Sequence, residues 1–279
     1  MHETKQTYHT AAEATYTDAS ASTNAISLVQ ALAQARSNCQ QIQALQPHWH
    51  LPDEAAGVQT MLQVADSLGW PRLGWKIAAT NPLLQQKLRT EGPVFGATFQ
   101  RFLRHSPAQV VHQQLLDPVI ECEFAFTLGR ELPAQEADYS FDDLAAAIGS
   151  VHTCVEIAEC RFAHLALPPV PYIMADGFAS GWYVLGEPVP DWQQAFLRGV
   201  RVQLLRNGEA HSQGSSMDVM GHPLQPLVWL ANRLRRLGQP LRVGDMVSTG
   251  SCNILCRARA GDRFEAIYEG LGKIELHTP

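Results

Sequence analysis

The stretch Val119-Ile120-Glu121-Cys122-Glu123-Phe124-Ala125-Phe126 constrains the fold more than any other in this chain. β-Branched and aromatic residues alternate with polar ones at period two, which predicts a strand. Successive side chains on a strand point to opposite faces. Glu121, Glu123 and Ala125 therefore share one face, and Ile120, Cys122, Phe124 and Phe126 share the other. Two carboxylates on one face, beside a bulky apolar face, repel each other when both are ionised. Water offsets that repulsion on an exposed strand, and a divalent cation offsets it in a pocket.

The rest of the composition narrows the setting. With 279 residues, 46% of them hydrophobic, the chain suits one large or two small globular domains. A net charge of -6 leaves no basic footprint for nucleic acid or an anionic membrane surface. No apolar run approaches membrane-spanning length, and the N-terminus lacks a basic-then-apolar leader. The cysteines (Cys39, Cys122, Cys154, Cys160, Cys252, Cys256) are scattered without a C-x-x-C pair. They read as reduced thiols of a cytoplasmic protein, not as a disulfide framework or a zinc site.

Three segments are expected in order. Residues 1–24, rich in Thr, Ala, Ser and His, have too few large aliphatics to offset ordering and predict a mobile tail. Residues 25–70 predict a helical part, with one helix from Ala25 to Leu45 and a second from Asp53 to Leu68, capped by Asp53 and Gly69. Residues 71–279 predict a strand-rich body, the whole being α+β. In that body strands are expected at 74–78, 94–98, 109–112 and 151–157, with a short helix after Asn81-Pro82 and another opened by Ser140. Residues 161–175, with Pro168, Pro169 and Pro171, read as a loop. A strand is expected at 182–185. Asn207-Gly208 marks a hairpin after a strand at 200–205, a helix follows over 223–237, and short strands close the chain at 246–249, 253–257, 264–268 and 273–277.

On the strand at 151–157, His152, Cys154 and Glu156 share a face opposite Val151, Thr153, Val155 and Ile157. Glu121, Glu123 and Glu156 thus all oppose apolar faces, and three converging carboxylates are what a hard cation needs. For each acid taken singly, an ordinary solvent face is the commoner reading. Lys76, framed by Trp75 and Ile77, is either an anion-binding ammonium beside such a site or a snorkelling lysine. Asp176, next to Gly177, is a candidate acid or a turn aspartate. His152 is read as a structural residue outside any ligand shell, and His164 and His48-Trp49-His50 form no ligand pattern. There is no G-x-S-x-G, phosphate loop or G-x-G-x-x-G, which argues against an α/β hydrolase, an NTPase and a dinucleotide enzyme.

Five segments taken together resemble one family. They are Gly74-Trp75-Lys76-Ile77-Ala78-Ala79-Thr80-Asn81, Glu121-Cys122-Glu123-Phe124-Ala125-Phe126, Val155-Glu156-Ile157-Ala158-Glu159-Cys160-Arg161-Phe162, Ala175-Asp176-Gly177 with Ser180-Gly181 before Val184-Leu185-Gly186, and Trp229-Leu230-Ala231-Asn232 before Gly244-Asp245 and Ser248-Thr249-Gly250. In this order they resemble the 2-keto-4-pentenoate hydratase / 4-oxalocrotonate decarboxylase family of the fumarylacetoacetate hydrolase superfamily, from about Ile26 to the C-terminus. The resemblance implies a mixed, curved β-roll with flanking helices, in a homo-oligomer. It implies Mg²⁺ or Mn²⁺ on Glu121, Glu123 and Glu156, with Lys76 facing the substrate carboxylate and assisting proton transfer, and Asp176 and Ser180 near the site. Two departures stand out. Gly177 replaces the family's Asn after the aspartate, and Glu91-Gly92-Pro93-Val94-Phe95-Gly96 lacks the acid that many hydratases carry just before the Gly.

The implied substrate is a small 2-oxo or 2-hydroxy-dienoic acid from aromatic-ring breakdown. Hydration through a metal-stabilised enolate would give a 4-hydroxy-2-oxo acid. The alternatives are a 4-oxalocrotonate-type decarboxylase using the same enolate, an acylpyruvate hydrolase of the same superfamily with His152 as its only base candidate, and a non-catalytic partner subunit of a related pathway enzyme.

Overall fold

A ten-residue strand, β5 (Val119–Leu128), runs through the centre of the structure because its alternation gives it one wholly apolar face. Ile120, Phe124 and Phe126 on that face are fully buried. The computed structural model describes residues 26–163 and 168–279; the expected tail and His164 lie outside them.

In chain order the elements are α1 (Leu28–Asn38), α2 (Glu54–Leu68), β1 (Arg72–Ala78), α3 (Pro82–Leu88), β2 (Val94–Phe99), β3 (Leu103–His105), β4 (Ala108–Gln109), β5, α4 (Phe141–Ala147), β6 (Ile148–Ala158), α5 (Val170–Ala175), β7 (Trp182–Pro188), α6 (Trp192–Leu197), β8 (Arg201–Arg206), β9 (Glu209–Ser215), α7 (Gln225–Arg236), β10 (Met246–Ser248), β11 (Cys256–Arg257), β12 (Asp262–Tyr268) and β13 (Gly272–Thr278). One mixed sheet runs β2-β1-β10-β5-β6-β7-β3, with β11 also on β5, and a second runs β4-β13-β12-β8-β9. Together they form a curved β-roll. The second sheet packs on the apolar face of β5, where the Phe124 ring meets Tyr268 edge-on at 5.4 Å. Helix α7 covers the other end, its Trp229 meeting Phe95. No helix among the described residues is long and apolar enough to cross a membrane.

Most expected elements lie where the pattern put them, and the differences have local causes. The first helix ends at Asn38, not Leu45, because Cys39 takes a left-handed conformation. Ile42 then makes an isolated parallel bridge to Phe162. The proline-rich segment read as a loop contains α5, since Pro171 sits in the first turn, where a missing N–H costs nothing. Helix α6 was not expected; it is anchored by buried Trp192 and Phe196. The strand expected at 253–257 shrinks to Cys256–Arg257. Asn253 instead turns its side chain onto the β5 backbone, accepting from Cys122 N–H at 2.7 Å.

Candidate metal centre

Strands β5 and β6 pair antiparallel with Glu121 opposite Glu156 and Glu123 opposite Cys154. Directly opposed residues share a face, so this register puts all three glutamates on one side of the sheet. Their carboxylate oxygens offer one atom each within 4.8 Å of one another, with Glu123 and Glu156 buried and Glu121 half-buried. Neighbouring strands add to the same face. Lys76 on β1 pairs with Ser248 on β10, and Ser248 pairs with Ala125 on β5. Tyr183 on β7 lies opposite Glu156.

These neighbours anchor the two buried acids. Glu123 Oε2 accepts from the Ser248 hydroxyl and, at 3.1 Å, from Gly250 N–H. Gly250 has a φ of 102°, and a Cβ there would meet Thr80 Oγ1 at 2.6 Å, so this amide donor depends on glycine. Glu156 Oε1 accepts from the Tyr183 hydroxyl at 2.8 Å and lies 3.3 Å from Lys76 Nζ. Below the strands, the Tyr268 hydroxyl accepts from Glu123 N–H and donates to the Cys154 carbonyl, tying β5 and β6 together beside the acids.

The remaining oxygens, Glu123 Oε1 and Glu156 Oε2, are buried and have no hydrogen-bond partner. Burial pushes the Glu123 carboxyl well above its usual range, and the charges of Glu156 and Glu121 push it further. Burial also raises Glu156, to about 7, against the pull of Lys76 and the Tyr183 hydroxyl. Burial lowers the Lys76 ammonium, but Glu156, Glu121 and Glu123 more than compensate and hold it above its ordinary value. Three carboxylates and one ammonium leave excess negative charge around two unused lone-pair sites. A hard divalent cation fits that donor set, with further positions open to water or substrate oxygens.

Residues 84–277 match the fumarylacetoacetate hydrolase C-terminal family. The chain belongs to the fumarylacetoacetate hydrolase family. Within it, the chain falls in the 2-keto-4-pentenoate hydratase / 4-oxalocrotonate decarboxylase group. It is 33% identical to a 2-keto-4-pentenoate hydratase of Paraburkholderia xenovorans over 80% of this chain and 82% of that protein. It is 31% identical to a 2-hydroxyhexa-2,4-dienoate hydratase of Comamonas testosteroni, over 77% and 81%. The fold matches 4-oxalocrotonate decarboxylase from Pseudomonas putida G7, complexed with magnesium and adipate. That match has a TM-score of 0.82 at 23% identity and covers 90% of this chain and 96% of that one.

Asp176 and Ser180, the other two residues that the family resemblance implied, lie in a turn packed against Gly96, directly opposite Lys76. Asp176 and Ser180 make no hydrogen bond or ion pair to the three glutamates or Lys76 among the described residues. Asp176 is engaged by Arg161, whose Nε donates to Oδ1 at 2.6 Å and whose backbone N–H donates to Oδ2 at 3.0 Å. Arg36 from α1 adds an ion pair at 3.6 Å. The Ser180 hydroxyl donates to the Ala97 carbonyl at 2.8 Å. The turn that carries them packs on β2, where a Cβ on Gly96 would lie 1.8 Å from the Gly177 carbonyl oxygen. Gly96 is directly opposite Lys76, so the turn lies beside the site on the Lys76 side. Gly177 itself has a φ of 70°, so glycine suits the position sterically where the family's Asn supplies a polar group. Phe95, just before Gly96, is core, edge-on to Trp75. His152 lies two residues beyond Cys154 and has no bond to the glutamates; burial first, and His105 second, lower its pKa.

Sequence reasoning missed the anchors Ser248 and Tyr183 and the cations Arg36 and Arg161. Ser248 lay inside a quoted family segment, and alternation on the strand at 182–185 sets Tyr183 apart from Trp182. Only register could show that either faces a glutamate.

Proposed function

We propose that this protein is a divalent-cation-dependent lyase that hydrates a small 2-hydroxy-2,4-dienoate, of the 2-keto-4-pentenoate type, to a 4-hydroxy-2-oxo acid. The observation that carries this is the pair of anchored, buried carboxylates, each with one free oxygen, in a chain one-third identical to a hydratase of that class. Glu121, Glu123 and Glu156 would hold Mg²⁺ or Mn²⁺. When bound, the cation supplies Lewis acidity toward the 2-oxygen and carboxylate of a 2-oxo acid.

The chain's own groups do the rest. The Lys76 ammonium, buried 3.3 Å from Glu156, pairs with the substrate carboxylate and carries the proton when the dienol ketonises. Tyr183 and Ser248 fix the two buried acids, so their charges are oriented before substrate arrives. The wall of Gly96 and the 176–180 turn, held from behind by Arg36 and Arg161, closes the Lys76 side. Asp176 and Ser180 act as supports of that wall. Six unpaired cysteines, five of them buried, fit a reducing cytoplasmic setting, and the homo-oligomer that the family resemblance implies is part of the same proposal.

Incubation of the protein with Mg²⁺ and a 2-hydroxy-2,4-dienoate is expected to abolish the dienoate's ultraviolet absorbance, and Glu123→Gln to prevent it. Equal rates for the two proteins would overturn the ligand assignment. A decarboxylase is the second reading, favoured by the fold match over 90% of the chain. It predicts CO₂ release from 4-oxalocrotonate under the same conditions, with the dienoate left intact.

A further inference from the structure

We propose that Ser248 and Tyr183 are positioning residues that set the cation preference of this site, by forcing each buried glutamate to act as a one-oxygen ligand. This rests on the metal-site reading above. The structural basis is a repeated arrangement. On Glu123, both anchors converge on Oε2: the Ser248 hydroxyl and Gly250 N–H. On Glu156, both anchors converge on Oε1: the Tyr183 hydroxyl and the Lys76 ammonium. In each case the other oxygen is buried with no partner.

A carboxylate tied at one oxygen cannot swing both oxygens onto a cation without giving up two donors in a dry site, each worth more there than in water. The anchors themselves are stiff. Ser248 ends β10 between β1 and β5, Gly250 is wedged against Thr80, and Tyr183 is fully buried on β7 directly across from Glu156. Ca²⁺ takes six to eight oxygens at about 2.3–2.6 Å and commonly draws both oxygens of a carboxylate, whereas Mg²⁺ takes six at about 2.0–2.1 Å in a near-ideal octahedron. Single-oxygen presentation therefore favours the smaller ion. Removing either hydroxyl leaves that carboxylate one anchor, Gly250 N–H on Glu123 or Lys76 on Glu156, so it turns more easily and binds the larger ion relatively better.

The test uses the full-length protein stripped of metal. Mg²⁺, Mn²⁺ and Ca²⁺ are titrated separately by calorimetry into wild type, Ser248→Ala and Tyr183→Phe, with melting of the apo-proteins as the folding control. Wild type is expected to bind Mg²⁺ and Mn²⁺ more tightly than Ca²⁺. Each variant is expected to lose about 10–100-fold in Mg²⁺ affinity, the scale for removing a partner of a metal ligand, and to lose less for Ca²⁺. The ratio of Mg²⁺ to Ca²⁺ affinity should thus fall at least about fivefold in both variants. Equal weakening of all three ions, or an unchanged ratio, overturns the proposal while leaving the metal site standing. If wild type binds none of the three, the metal-site reading itself is wrong and this inference falls with it. The two variants act on different glutamates, so misfolding of one leaves the other as a valid test.

Discussion

Two buried charge clusters lie close together in this fold, and they are built by opposite rules. Around Asp176, two guanidiniums face two carboxylates: Arg36 and Arg161 against Asp176 and Glu159. Both Asp176 oxygens are used, and its backbone carbonyl also accepts from both arginines. Around Glu123, three carboxylates face one ammonium, and two buried oxygens are left over. Charge that cancels and lone pairs that are consumed make a scaffold. Charge that does not cancel, with lone pairs held open, makes a site. The contrast sorts residues that are equally buried and equally acidic into different jobs.

The strongest way to break this contrast is Glu123→Gln. The expected result is a fall of roughly 10²–10³-fold in kcat for dienoate hydration, the scale of removing one electrostatic stabiliser. The Mg²⁺-induced rise in melting temperature should vanish, while the apo-protein melts no lower than wild type, because a neutral amide replaces a carboxyl whose charge is disfavoured first by burial and then by Glu156 and Glu121. An apo-protein that melts many degrees lower would mean that this cluster is scaffold too.

Asp176→Asn should behave in the reverse sense. It leaves Arg161 and Arg36 underpaired in the interior, at about 3–5 kcal/mol of unfolding free energy in urea titrations. The shift produced by Mg²⁺ should persist. Loss of that shift in a variant of normal stability would move Asp176 into the site.

A pH series sharpens the comparison further. Burial holds Glu156 at about 7, above the ordinary glutamate value of 4.5, and holds Glu123 up as well. Between those pH values the folded chain keeps protons that the unfolded chain has released. Stability of the apo-protein must therefore fall as pH rises through this window, by on the order of 1–3 kcal/mol. Mg²⁺ binds the deprotonated acids and should reverse the slope. Urea midpoints at several pH values, in EDTA and in Mg²⁺, check this. Glu156→Gln should flatten the apo curve, and a wild-type apo curve that rises with pH contradicts the electrostatic picture.

The smallest effect concerns α1, which delivers Arg36 to Asp176. Its capping box joins Ser27 and Gln30. Ser27→Ala should cost about 1 kcal/mol and leave Mg²⁺ binding unchanged by calorimetry, since it loosens only the balanced cluster.

Much of this contrast was visible in the residue pattern, and the remainder depends on register. Period-two alternation placed Glu121 and Glu123 on one face and Glu156 on the polar face of its own strand, because alternation is a local property. That Glu121 stands across from Glu156 is a pairing over 35 positions, which no local rule reports. Arg36 and Asp176 are 140 residues apart, so their pairing left no spacing to read. Hence Asp176 read as either a candidate acid or a turn aspartate, and its arginine partners stayed hidden. Hydroxyls were equally opaque: a serine or tyrosine on a strand signals nothing until the strand beside it is known. The helix start capped by Asp53 was legible from its side chain, whereas the end at Cys39, set by backbone conformation alone, was not.

The β5–β6 register has a consequence for how this chain reaches its native state. A slip of one residue on β5 would turn Glu121 and Glu123 into the greasy layer against Tyr268 and bring Phe124 out among the acids. The same glutamates that present oxygens to a ligand thus also disfavour a shifted alignment of the two longest strands, so one set of side chains serves both binding and register.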